Sequence, residues 1–311
     1  MAAGLISGFL WAVETVLLGL ALAKGVFHST PEAIFLAPFV STFLHDCGST
    51  ICITVYNLLT GHLVSSVRLL LQREGRVIAL AAIIGGPLGM TGYTIAINNL
   101  GASAGAVATA VYPAIGTVLA RIFLKEQMKW YQWGFLLLAL LGVYGLSYSP
   151  ELVIRNFWLG IIGAVICAVG WGLLSVIMAA CLKDASFSNV EALEIKHLTS
   201  ALVLGVLVLP LVRGWTFTGT LFHGNASLLL LLFAAGCMAT LSYLYAFRSL
   251  QQVGASRFMA ANITYTAWAI LITAFVLGDR SVLTPLTVVC AVDVMVCGFC
   301  AATDVRQLFK G

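Results

Sequence analysis

Runs of about twenty apolar residues follow one another roughly every thirty positions down the whole chain, and a helix of that length just spans the hydrocarbon of a bilayer. With no water to satisfy backbone N–H and C=O groups there, such a chain is confined to bundled helices. Ten segments can be drawn, at 3–24, 32–61, 77–98, 102–124, 131–149, 157–182, 189–211, 227–249, 255–277 and 283–303. The second is long enough to bend or to extend past the membrane. Composition agrees, with 61% hydrophobic and 9% charged residues, where a soluble domain carries about 25% charged. No room is left for a soluble catalytic domain, and a net charge of +4 spread over loops speaks for orientation and not for nucleic acid. The first segment has no basic region before it and no small-residue cleavage site, so it reads as a membrane anchor and not as a signal peptide.

With both termini inside, the inner loops collect Arg68, Arg73, Arg76, Arg121, Lys125, Lys129, Lys183, Arg248, Arg257, Arg306 and Lys310, and the outer ones only Lys24, Arg155, Arg213 and Arg280. Inner loops are the basic ones in membrane proteins, which favours an even number of spans and cytoplasmic termini. The stretch 64–76, with Arg68, Arg73 and Arg76, reads as a basic helix lying in the interface. The eight cysteines fall almost entirely in apolar runs, where a free thiol packs as a small hydrophobe. Cys297-Gly-Phe-Cys300 lacks the strand–loop–helix setting of a redox site. No spacing suits a metal, and no cofactor is expected.

A single acid interrupts the first apolar run. Glu14 stands three residues after Trp11, which puts ring and carboxylate on one helix face. At a helix centre such an acid costs about 2.5–3.5 kcal/mol and marks a functional site by default. Thirteen preceding residues reach roughly 20 Å at 1.5 Å each, past the midplane if the helix starts at its first residue. A carboxylate beside an aromatic ring suits an organic cation, or a proton that comes and goes.

The two halves look related. Leu100-Gly-Ala-Ser103 is followed by Tyr112 as Val253-Gly-Ala-Ser256 is followed by Tyr265, Tyr93 precedes the first motif as Tyr243 precedes the second, and Trp11 matches Trp171. With five spans in each half, 1–150 and 151–311, the second must enter the membrane from the opposite side. That is the inverted repeat of many secondary transporters, whose substrate site lies at the midplane where the repeats meet. Gly101 to Gly105 and Ala106 to Ala110 supply small residues for close helix packing. Pro87 behind Gly85 and Gly86 predicts an interruption of the third helix, because proline lacks an N–H.

Gly86-Pro-Leu-Gly-Met90, Asn99-Leu-Gly-Ala-Ser103, Tyr112-Pro-Ala-Ile115 and Phe123-Leu-Lys-Glu126 resemble the EamA branch of the drug/metabolite transporter superfamily. Pro38-Phe-Val40 with His45-Asp46, Trp171-Gly172, Glu191-Ala-Leu193 and Ile263-Thr-Tyr265 with Trp268 are similar to LicB-type choline permeases. The resemblance implies an all-α membrane protein, ten transmembrane helices as two inverted five-helix repeats around a central cavity, in a cytoplasmic membrane. It implies transport without enzymatic activity, of a small organic cation such as choline or another quaternary ammonium compound. One position departs from that pattern: the acid expected three residues after Trp171 is Leu174, and the carboxylate stands at Glu14 instead.

The cavity spans implied by the resemblance are one, three, four, six, eight and nine. A quaternary ammonium cannot donate a hydrogen bond, so its site must use aromatic faces and negative potential. Trp11, Trp171, Tyr265 and Trp268 are expected in the cavity, while Tyr93, Tyr112, Tyr243 and Tyr245 fit a cavity or a lipid-interface belt equally well. Trp130, Tyr131, Trp133, Tyr144, Tyr148 and Trp158, near span ends, read as belt residues. His45, Asp46 and Lys196 are expected as structural or gating charges, with Asp46 opposite Lys196, and Glu191 as a cap or gate. Asp293 reads as a buried hydrogen-bonding group or an oligomer contact, compatible with a homodimer. The rivals are an exporter of amino acids or related metabolites, for which the cavity spans offer no mid-membrane Arg or Lys, and an intramembrane enzyme, for which no nucleophile–base or metal-ligand spacing is present.

Overall fold

The computed structural model describes residues 1–100, 108–146, 154–183 and 185–304, all of it helix, turn and loop. The small-residue stretch from Gly101 to Gly105, Tyr148, Arg306 and Lys310 lie outside the described residues.

The helices are α1 Ala2–Leu22, α2 Pro31–Thr60, α3 Leu63–Leu71, α4 Arg73–Ile83, α5 Gly89–Leu100, α6 Tyr112–Phe123, α7 Trp130–Leu146, α8 Phe157–Leu182, α9 Asn189–Val203, α10 Trp215–Leu221, α11 Ala226–Asn262, α12 Tyr265–Phe275 and α13 Pro285–Ala302. Among the described residues seven stretches are long and apolar enough to cross a membrane, and α6, α7 and α12 are shorter apolar helices. Side chains such as Leu59 and Val206, 80% and 75% exposed, face outward, as lipid-facing residues do. This is an all-helical, multi-pass membrane protein.

Local chemistry sets the helix ends. Thr30 caps α2 through its hydroxyl, with Pro31 in the first turn and Gly61 in the left-handed conformation at the far end. Ser188 and Glu191 form a reciprocal capping box at the start of α9, so Glu191 has the capping geometry expected of it. Its carboxylate also accepts from Ser65 and lies 3.3 Å from His62 Nδ1, tying α9 to α3. One turn on, Glu194 accepts from Thr54 at 2.5 Å and Asn57 at 3.0 Å. The interruption expected at Pro87 is a π-helical turn, Ile84–Leu88, that joins α4 to α5. Widening the turn accommodates the missing N–H without ending the span. A second π turn, Leu204–Val208, follows α9.

Packing is organised by two central helices. α1 lies against α11 and α12, while α8 lies against α5 and α6; α2 pairs with α9, and α7 with α13. Where lipid replaces water outside, close backbone approach and van der Waals contact hold such pairs together. Gly92 and Gly163 supply that approach between α5 and α8: a Cβ on Gly163 would stand 2.7 Å from the Gly92 carbonyl oxygen and the Ala96 nitrogen.

The expected boundary between spans 227–249 and 255–277 falls at Gly254 (φ 82, ψ 175), a non-helical break that divides α11 into two helical pieces. A further turn after Asn262 then separates the second piece from α12, which begins at Tyr265. Two orphan N–H groups beyond the break, of Ala255 and Ser256, donate to the Glu126 carboxylate at 2.8 and 2.9 Å. A charge from the loop after α6 thus closes a helix of the other half. Asp293 accepts a hydrogen bond from Cys297 Sγ one turn along its own helix, at 3.1 Å, where a hydroxyl or a neighbouring chain was expected.

Candidate functional site

A cavity of about 270 Å³ lies between α1, α2, α5, α6, α8, α9, α11 and α12, at the small end of the range for ligand sites. Trp11, Glu14, Tyr93, Tyr112, Trp171, Tyr243 and Tyr265 all line it. Trp268 does not: one turn beyond Tyr265, its ring meets Phe9 edge to face at 5.4 Å. The expected roles therefore begin from a wall that holds seven of the eight proposed substrate-contacting residues.

The aromatic rings form two groups. Trp171 stands 5.9 Å from Tyr93 and 5.6 Å from Tyr112, the latter edge to face. Trp11 meets Tyr243 edge to face at 5.2 Å. A polar chain fixes the second rank of side chains: Tyr112 donates to Asn262 Oδ1 at 3.1 Å, Asn262 Nδ2 lies 3.4 Å from Ser7 Oγ, and Ser242 donates to the Ser7 carbonyl at 2.9 Å. Satisfied buried networks of this kind rigidify their surroundings. Ser7 and Asn262 also line the cavity, and the sequence marked neither, although each is a polar residue within an apolar run.

The charged wall differs from the expectation. Glu14 is buried on α1, where Thr15, bonded to the Trp11 carbonyl, also donates to Glu14 Oε2 at 3.3 Å. Its Oε1 is 3.3 Å from His45 Nε2, an ion-pair distance off the hydrogen-bond line. His45 Nδ1 reaches Asp46 Oδ1 at 3.1 Å, and Ser200 donates to Asp46 Oδ2 at 2.5 Å. Asp46 is thereby occupied by His45 and Ser200, and among the described residues no carboxylate lies within 4.0 Å of Lys196. Lys196 instead places its ammonium 3.7 Å from the centre of the Tyr243 ring and 3.4 Å from His197 Nδ1. The expected Asp46–Lys196 pair is therefore corrected to Asp46 with His45.

His45, Asp46 and Lys196 themselves line the cavity. The expectation that the cavity carries no lysine fails for a topological reason: α9 contributes to the wall although its span had been set outside it. With His45 neutral, two carboxylates and one ammonium give the wall a net charge of minus one; with His45 protonated the wall is neutral. Leu174, at the position where the related pattern has an acid, also faces this space, close enough to Gly85 to bar a Cβ there. Such a site can hold a small cation on ring faces with a carboxylate beside it.

Residues 1–148 of the chain match the EamA-like transporter family. Over 194 residues the chain is 27% identical to Protein LicB of Haemophilus influenzae (strain Rd), a match that covers 62% of this chain and spans only 64% of that protein's length. A solved crystal structure superposes with a TM-score of 0.70 over 99% of both chains at 18% identity, a likeness of fold alone.

Proposed function

We propose that this chain, whose residues 1–148 match the EamA-like transporter family, is a secondary transporter whose substrate is a small organic cation, choline or a related quaternary ammonium compound. The observation that carries the reading is the convergence of Trp11, Tyr93, Tyr112, Trp171 and Tyr265 with Glu14 on one cavity. Each desolvated contact between a cation and an aromatic face contributes ~2 kcal/mol, and a carboxylate adds the charge that rings alone lack. The likeness to LicB supports the same substrate class.

The architecture we propose is ten spans in two inverted halves. Helix pairings support it, since exchanging the halves turns the packing of α1 on α11 and α12 into that of α8 on α5 and α6. Backbone conformation supports it too: Lys125 (φ 56) and Gly278 (φ 77) occupy positions 153 apart, the offset that separates Gly101 from Gly254. Alternation of the two halves around a fixed midplane site would give access to each side in turn. Placed in a cytoplasmic membrane with both termini inside, the protein would use the membrane potential, about 2.3 kcal/mol per charge per 100 mV, to favour uptake of a cation.

The test is choline uptake into proteoliposomes with an imposed negative-inside potential. Wild type is expected to accumulate choline, and Trp171→Ala to bind it roughly thirtyfold more weakly, as the loss of about 2 kcal/mol requires. Normal uptake by Trp171→Ala would remove the aromatic cage from the mechanism.

A further inference from the structure

Within the proposed cation site one buried ammonium has no carboxylate within 4.0 Å among the described residues. Lys196 is only 4% exposed and has three N–H donors, yet among the described residues its single hydrogen bond is the 3.4 Å contact to His197. The face of Tyr243 takes the remaining space on one side. Buried charges in a bilayer pair with one another or line a pathway, and the two carboxylates of this wall are directed elsewhere, Glu14 to His45 and Asp46 to His45 and Ser200. Asp46 Oδ1 comes no nearer to this pole than 3.9 Å, at His197 Nδ1.

The polar wall is therefore ordered. Glu14, His45, Asp46, His197 and Lys196 follow one another at 3.3, 3.1, 3.9 and 3.4 Å, with a carboxylate at one end and an ammonium with unused donors at the other. A simple monocation would use the first end and leave the second unsatisfied. Resting on the cation reading, we infer that among quaternary ammonium compounds the site favours those that also carry an anion: a quaternary or methylated ammonium head on the rings beside Glu14, and a carboxylate bound by Lys196. Such a bond is charge-assisted on both sides and belongs to the strong class. Tyr243 is then a positioning residue that holds the Lys196 ammonium, with its face already occupied.

Calorimetry on the full-length protein in detergent tests this with four ligands: glycine betaine, its methyl ester, choline and tetramethylammonium. Glycine betaine is expected to bind wild type at least tenfold more tightly than its methyl ester, which has the same head and no anion. In Lys196→Gln that preference disappears, while choline and tetramethylammonium bind at least as tightly as to wild type, because a positive charge has left the wall. Equal binding of betaine and ester by wild type would overturn the inference, whether or not the variant folds, and so would a loss in Lys196→Gln that is the same for choline and betaine. Binding of carboxylates with no response to choline or tetramethylammonium would instead overturn the cation site on which the inference rests.

Discussion

Replacing Glu14 by glutamine is expected to weaken choline binding by roughly thirtyfold or more while the protein still purifies as a folded species. Glutamine keeps the size and a hydrogen-bonding oxygen for Thr15, which donates to the carboxylate at 3.3 Å, and removes only the charge. Truncating one partner of a buried charge pair costs about 2–5 kcal/mol, and 1.4 kcal/mol is a tenfold change in affinity. The same change leaves His45 with Asp46 as its remaining carboxylate partner. Titration calorimetry checks it, and an affinity within threefold of wild type would remove Glu14 from the site. Leu174→Glu on that background then places the acid on the other half, at a position that also lines the cavity. Partial recovery of binding is expected if the two positions serve one pocket.

The second large effect concerns the fold. Gly254 holds φ 82 and ψ 175 inside α11, a region of backbone space that only glycine occupies readily, and other residues are strained there by about 1–3 kcal/mol. A Cβ at this position would also meet the Glu126 carboxylate at 2.5–3.2 Å, displacing the group that accepts from Ala255 and Ser256. Losing a charge-assisted bond to a buried donor adds a further ~1–3 kcal/mol. Gly254→Ala is therefore expected to lower the melting temperature in detergent by about 4 °C or more, at about 2–4 °C per kcal/mol. Glu126→Gln, which retains one acceptor oxygen, is expected to fall between that variant and wild type. An unchanged Tm in Gly254→Ala would show that the break contributes nothing to stability.

Much of the site was legible because lipid makes polar residues conspicuous. Glu14 stood out as the one acid in its run, and Trp11 followed from helical spacing. Tyr93, Tyr112, Trp171, Tyr243 and Tyr265 followed from motifs matched between the two sequence halves, and all five line the cavity. Trp268 was assigned from the family resemblance and its mid-span position, and it does not line the cavity, because its ring packs edge to face on Phe9 instead. Lys196 was legible as a charge but not as part of the wall. Pairing it with Asp46 assumed that opposite charges at matched positions meet, whereas Ser200 and His45 reach that carboxylate first. The spans were readable from hydropathy to within a few residues, and the boundary set before residue 255 falls at the Gly254 break. Its cap was not legible, because Glu126 lies 128 positions away in the chain and leaves no local pattern.

In the proposed mechanism the cavity recognises positive charge on aromatic faces beside a carboxylate, and not merely a small apolar body. Calorimetry of wild type with choline and with 3,3-dimethylbutan-1-ol, its uncharged isostere, tests it most directly. Choline is expected to bind at least thirtyfold more tightly, since the isostere forgoes about 2 kcal/mol of cation–aromatic attraction as well as the pull of Glu14. Equal affinity for the two would contradict it, and would leave a transporter whose pocket selects by shape alone.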